Sequence, residues 1–204
     1  MNVDLTAGQL AAAGVAYAPQ IATAAARHGL DPDLLAAVAA QETGGPGANA
    51  GRNVVGDGGH GHGLFQIDDR WHAFASTPQA MDPSSNADYA AGMLQELIGR
   101  YGNVRQALSA YNAGSPAATG TQTQWPDGQR LGYADSVMRH YDEISGDVPP
   151  PAGPAPAQLP ETAEALASQS PAMPQLPAPS QPQSYHRQET DYTGLFDSDD
   201  STTV

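Results

Sequence analysis

Residues 54–74 of this chain read VVGDGGHGHGLFQIDDRWHAF, and five glycines fall between Gly56 and Gly63. Glycine at this density disfavours a regular helix or strand, but it lets the backbone approach closely to itself or to a ligand. A more apolar GLFQID run follows directly. The stretch therefore predicts an irregular loop whose backbone packs closely on itself or on a ligand.

The segment before this loop predicts a helix that carries a carboxyl group inward. Asp31 followed by Pro32 is a typical helix start, and Leu34, Val38 and Glu42 then share one helical face. Lost hydration and the negative helix end both favour the protonated form of a carboxyl placed there. Such an acid can protonate a leaving sugar oxygen. By periodicity alone, however, the simpler interpretation is a glutamate that has reached solvent.

Helix signals recur through the first 145 residues, whereas convincing strands of alternating polarity are scarce. The fold class predicted for this part is therefore mostly α. Further helices are predicted from Pro19 to Arg27, from about Asp82 to Tyr101, from Asn103 to about Gly114, and from about Gly132 to Ile144.

The composition changes near Gly146. Residues 146–204 contain 11 of the 18 prolines and 8 of the 22 acidic residues, but one of the 8 basic residues. We expect a domain over residues 1–145, an extended Pro-rich linker over 146–183, and an acidic disordered tail over 184–204. The tail also contains aromatic residues that suit a short docking motif for a protein partner.

Four segments, in this order and spacing, resemble goose-type lysozymes and soluble lytic transglycosylases. The resemblance covers roughly residues 20–145 and implies a lysozyme-like helical domain with a glycan-binding groove. The segments are QETGG (41–45), GDGGHGHGLFQIDDR (56–70), ALSAYNAG (107–114) and GYADSVMRHYDEI (132–144).

The resemblance also implies roles for single residues. Glu42 falls on the family's catalytic acid, and Gln66 on the groove residue that hydrogen-bonds the substrate. Tyr111 resembles the tyrosine whose hydroxyl approaches the catalytic carboxyl, although core packing is an alternative role for its ring. Asn112 is expected to contact a sugar N-acetyl group. Tyr133 resembles an aromatic residue that lines the groove, and a structural role fits it equally well.

Asp57 and Asp68 bear on the type of reaction. Their separation resembles the aspartate pair of goose-type lysozymes, so either carboxylate is a candidate to activate water. The alternative is that Asp57 forms an Asx turn and Asp68 caps the next segment. The favoured function is hydrolysis of the β-1,4 bond between N-acetylmuramic acid and N-acetylglucosamine in peptidoglycan. A lytic transglycosylase that forms 1,6-anhydromuramyl ends is the alternative, and a non-catalytic glycan-binding or virion structural module is a weaker one.

Charge and composition limit the partners. The net charge is −14 without any lysine, which argues against nucleic acid as a partner. The chain contains no cysteine, and His60 and His62 lack a third ligand at a convincing spacing, so we expect exposed loop histidines, no metal and no cofactor. The first residues lack the basic segment typical of a secretory leader, so we expect none, and no apolar run is long enough to cross a membrane. The expectation is action at the bacterial cell wall after delivery by a phage particle, lysis or specialised secretion.

Overall fold

The structure is a computed structural model that describes residues 2–146. The predicted linker and tail, apart from Gly146, lie outside the described residues. Helices form most of the described part of the chain, as the sequence predicts. They are α1 (Val3–Ala12), α2 (Ala18–His28), α3 (Pro32–Ala39), α4 (Pro83–Tyr101), α5 (Val104–Ala113) and α6 (Tyr133–Ser145).

The predicted helix ends are confirmed by their caps. The side chains of Asp31, Asp82 and Asn103 each accept a hydrogen bond from a backbone N–H in the first turn of the helix that follows. Gly102 and Gly114 adopt the left-handed conformation that ends α4 and α5. The sequence does not predict α1, because Thr6 and Leu10 are its only buried residues and leave no clear apolar face.

The central element is α3, which packs against α2 and α6. Every residue of α3 except Asp33 is buried. A helix that is apolar on nearly all sides is stable only inside a core, so neighbouring helices must surround it. The residues that follow α3, from Ala40 onward, therefore begin in the interior of the domain.

The glycine-rich segment forms a small antiparallel sheet, so the prediction of an irregular loop is wrong. Val54 pairs with Gly63, and His62 pairs with Ile67. The strands are β1 (Val54–Gly56), β2 (Gly61–Gly63) and β3 (Ile67–Asp68), in the order β1-β2-β3.

The side chain of Gln66 lies directly against β1 and β2, so two positions of the sheet require glycine. A Cβ atom added to Gly56 or Gly61 would lie 2.2 or 2.5 Å from Oε1 of Gln66. Asn86 of α4 then fixes the sheet to the helices, since its amide donates to the carbonyls of His62 and Ala80 and its Oδ1 accepts from the backbone N–H of Phe65. The sheet therefore has a defined position relative to the core.

A hairpin precedes the last helix and packs on it. Its strands are β4 (Thr123–Gln124) and β5 (Arg130–Leu131). Trp125 at its turn is buried, donates from Nε1 to the hydroxyl of Ser136, and packs against the ring of His140 with centroids 4.9 Å apart. Neither ring nitrogen of His140 has a hydrogen-bond partner among residues 2–146. Burial, assisted by the charge of Arg139, lowers the pKa of His140 to about 4.

Burial of His140 should make the folding stability depend on pH. In the folded protein its pKa is about 4, below the usual histidine value of about 6.5, so the unfolded chain binds more protons between these values. The contribution to stability is complete above pH 6.5 and is lost as the pH falls toward 4, by an amount on the order of 3 kcal/mol. We expect His140→Phe to flatten the decline of the melting temperature over this range. Equal slopes for variant and parent would contradict the prediction.

Candidate active site

Glu42 lies at the wide turn in which α3 ends. The helix continues as one π-helical turn, Ala40–Gly44, closed by a hydrogen bond of 3.1 Å from the Gly45 N–H to the Ala40 carbonyl. Single π turns are often found at functional sites. The side chain of Glu42 leaves this turn into the interior, and the residue is 4% exposed. The interpretation of Glu42 as a solvent residue at a helix end is therefore wrong.

Tyr133 holds the carboxylate of Glu42. Its hydroxyl donates to Oε1 of Glu42 over 2.8 Å, and the tyrosine itself is buried. The N–H of Tyr133 donates to the Thr119 carbonyl, which fixes the first residue of α6. This contact orients one oxygen of the carboxyl group. The sequence places Tyr133 in the groove, but it does not predict this hydrogen bond.

Tyr111 packs behind Tyr133. The two rings are stacked, with centroids 6.4 Å apart and an interplanar angle of 18°. The Tyr111 hydroxyl donates to the Phe65 carbonyl over 3.4 Å. Tyr133 thus makes a contact of the kind that the resemblance assigns to Tyr111, and Tyr111 packs against the ring that makes it. The approach of the Tyr111 hydroxyl to the carboxyl of Glu42 stays a prediction.

Gln66 occupies a strained backbone position. Its φ of 48° lies in the left-handed region, which a residue with a side chain adopts at a cost of about 1–3 kcal/mol. The amide Nε2 donates to the carbonyls of Val54 and Gly63. Both amide hydrogens are therefore used within the sheet. A hydrogen bond with substrate would therefore be accepted by an oxygen of Gln66, either its side-chain Oε1 or its backbone carbonyl.

Asn112 is buried and braces the loop that leads to the hairpin. Its Oδ1 accepts from the Thr121 N–H over 2.8 Å, and its Nδ2 donates to the Thr121 hydroxyl over 3.3 Å. Nearby, Gln41 beside Glu42 donates to the hydroxyl of Thr123. The contact of Asn112 with an N-acetyl group stays a prediction.

A groove runs along the surface beside these residues. One pocket of about 280 Å³ and one of about 40 Å³ adjoin, and they share His72, Met93 and Tyr111 in their walls. Gln66, Asp68 and Asn112 line the smaller pocket. Four of the predicted site residues thus face the same narrow part of the groove. The sequence does not predict His72, whose pKa is lowered by burial and whose Nδ1 lies 3.1 Å from the Tyr89 hydroxyl.

Asp57 and Asp68 are brought together by Arg70. The guanidinium Nη2 lies 2.5 Å from Oδ2 of Asp57 and 2.5 Å from Oδ2 of Asp68. Asp68 also accepts from the backbone N–H of Arg70, a local contact of the kind expected if Asp68 caps the segment that follows. The sequence does not predict this sharing of one guanidinium.

His60 and His62 both contact one carboxylate. Their ring nitrogens lie 2.8 and 3.2 Å from the two oxygens of Asp69. His62 is a residue of β2 and not the exposed loop residue that the sequence suggests. Within residues 2–146, no group of three or more histidine or acidic side chains is arranged to hold a metal ion.

The described residues contain no helix that is both long and apolar enough to cross a membrane. A helical domain with a small antiparallel sheet, and with a buried glutamate at the end of its central helix, belongs to the lysozyme-like class. Within that class, the family described as "Transglycosylase SLT domain" matches residues 19–128. The chain therefore belongs to this family.

Two further proteins resemble this chain in sequence. The chain is 30% identical over 136 residues to a protein named "Transglycosylase" from Enterobacteria phage PRD1, an alignment that covers 66% of this chain and 46% of the relative. It is 28% identical over 127 residues to Protein IpgF of Shigella flexneri, covering 59% of this chain and 78% of that protein. The chain thus spans about half the length of the phage relative.

Proposed function

We propose that residues 1–145 form a lytic transglycosylase domain that cleaves the β-1,4 bond between N-acetylmuramic acid and N-acetylglucosamine in peptidoglycan. The observation that carries the proposal is the buried Glu42 in a chain of the SLT transglycosylase family. The name of the phage relative, "Transglycosylase", supports transfer of the glycosyl group to a sugar hydroxyl rather than to water. The hydrolase favoured by the sequence is kept as the second candidate, because Asp68, a possible base for water, lines the groove.

In the proposed reaction, Glu42 acts twice. It first donates its proton to the glycosidic oxygen as the bond to C1 of N-acetylmuramic acid breaks, so the leaving sugar departs with a hydroxyl group. The 6-hydroxyl of the same N-acetylmuramic acid then attacks C1, and its proton passes to the Glu42 carboxylate. The new bond closes a 1,6-anhydro ring, no water is consumed, and the acid is restored.

Asp57 and Asp68 have no required step in this reaction. A hydrolase needs a carboxylate that accepts a proton from water, whereas here both carboxylates are hydrogen-bonded to Arg70. This pairing supports the sugar hydroxyl as the acceptor. The two aspartates are then structural residues of the sheet, unless Arg70 is displaced.

The groove residues have proposed binding roles. Tyr111 lines both pockets, and its ring offers an apolar face to a sugar. Gln66 and Asn112 offer polar atoms at the narrow end, while Tyr133 orients Glu42. We expect this arrangement to bind glycan strands without a cofactor.

Product analysis tests the proposed reaction directly. Purified peptidoglycan is digested with the full chain, and the released fragments are identified by mass spectrometry. We expect 1,6-anhydromuramyl ends to dominate, because the reaction consumes no water. Fragments that carry mainly reducing ends would instead identify a hydrolase. A folded protein that binds the glycan and releases nothing would identify a non-catalytic module.

The route to the wall is a separate proposal. The phage origin of one relative supports carriage in a phage particle or release during lysis, and specialised secretion is the alternative. Mass spectrometry of purified particles and culture supernatants tests it, and absence of the protein from both would contradict it.

A further inference from the structure

The ion cluster formed by Asp57, Asp68 and Arg70 has a consequence for the choice of acceptor. Arg70 Nε lies 2.9 and 3.1 Å from the two oxygens of Asp68, and Nη2 reaches both aspartates. The side chains of Asp57 and Asp68 are 14% and 18% exposed, compared with 37% for Arg70. The carboxylates are thus partly shielded from water, and the guanidinium covers them.

The cluster borders the candidate catalytic groove. Asp68 lines the narrow pocket together with Tyr111. Tyr111 stacks on Tyr133, and the Tyr133 hydroxyl donates to Glu42. Asp68 and the Tyr111–Tyr133 pair that holds Glu42 therefore border the same part of the groove.

A carboxylate activates water by accepting its proton on an oxygen lone pair. Both oxygens of Asp68 and one oxygen of Asp57 already accept hydrogen bonds from the Arg70 guanidinium. The hydrogen bonds with Asp68, and the nearby charges of both aspartates, raise the pKa of Arg70 above its usual value. The guanidinium therefore stays charged and offers both carboxylates a permanent cationic partner.

The backbone conformation of Asp57 places its carboxylate within reach of Arg70. Its φ is 48°, in the left-handed region, which aspartate tolerates better than most residues. The residue follows β1 directly and points its carboxylate to a guanidinium thirteen positions further along the chain. The ion cluster is thus built by the fold of the sheet and is more than a pairing of close sequence neighbours.

We propose that Arg70 is a specificity-determining residue that selects the acceptor: by holding Asp57 and Asp68, it suppresses the attack of water and leaves the sugar 6-hydroxyl to react. The inference rests on the proposed transglycosylase function. Arg70 itself makes and breaks no bond in the reaction. Its removal frees a carboxylate to take a proton from water, after which hydroxide adds to C1 and a reducing end forms.

The test compares the ratio of reducing to 1,6-anhydro ends for the parent chain and Arg70→Gln. We expect the ratio to rise about tenfold in the variant, a modest part of the roughly 10²–10⁴-fold effect of a positioned base. Adding Asp68→Asn to Arg70→Gln should return the ratio toward that of the parent if Asp68 is the base, and adding Asp57→Asn should do so if Asp57 is. Arg105→Gln is the matched control, since it removes a guanidinium paired with Asp135 outside the groove.

Circular dichroism and thermal melting establish which variants fold. If Arg70→Gln does not fold, Arg70→Lys decides, because a single ammonium group lacks the planar fork and should give a smaller rise in reducing ends. A folded Arg70 variant with the parent's ratio would overturn the proposal. The parent's own products test the proposed function separately, since predominantly reducing ends from the unaltered chain would reject transglycosylation whatever the variants do.

Discussion

Glu42→Gln should lower the rate of glycan cleavage by roughly 10²–10⁴-fold, because the amide cannot donate the proton that the leaving sugar oxygen requires. Glutamine has nearly the same shape as glutamate, and its side-chain oxygen can still accept the hydrogen bond from Tyr133. The buried turn should therefore keep its geometry. Release of soluble fragments from purified peptidoglycan measures the loss.

The control for this variant is Glu143→Gln on α6. Its side chain is 35% exposed, pairs with Arg139 on the same helix and lines neither groove pocket, so the same chemical change should leave the rate nearly unaltered. Exposed pairs of this kind contribute little to stability. Equal lysis by Glu42→Gln and the parent protein would remove Glu42 from the mechanism.

Tyr133→Phe should lower kcat by about 10- to 100-fold, with a smaller effect on KM. The change removes a hydrogen bond to a carboxylate, which is typically worth about 1.5–3 kcal/mol. Phenylalanine fills the same buried volume and keeps the stacking with Tyr111. Tyr133 acts through Glu42 as a positioning residue, so we expect the effect in kcat rather than in binding. Steady-state rates on soluble glycan fragments separate the two constants.

Tyr141→Phe is the matched control on the same helix. Its hydroxyl also donates to a carboxylate, that of Asp31, but this pair is exposed and outside the groove. We expect nearly parental kcat for this variant. If Tyr133→Phe keeps the parental kcat as well, the hydrogen bond to Glu42 does not position the acid.

The helices and the place of Glu42 could be predicted from the sequence because their signals are local. Caps such as Asp31 and stops such as Gly114 lie within a few residues of the helix ends that they define. The helical repeat places Glu42 on one face with Leu34 and Val38, but it does not decide whether the carboxyl lies in the interior or in solvent. The family motifs added the expected role of Glu42, which periodicity cannot supply.

The sheet could not be predicted from local signals. Its glycines are required by the side chain of Gln66, which crosses β1 and β2 and would collide with any Cβ at Gly56 or Gly61. Until this contact exists, a glycine-rich segment has a large conformational entropy and no preferred strand pattern. Three-dimensional packing therefore decides its structure.

The sequence by itself determined the mostly helical fold, and its family motifs predict the role of Glu42 and the groove residues. Only the tertiary structure decided that Tyr133 holds Glu42, across 91 positions of the chain, and that one guanidinium holds Asp57 and Asp68. The physical reason is that helix caps and periodicity act within a turn or two, whereas these partners meet through the packing of α3 on α6 and the pairing of the strands.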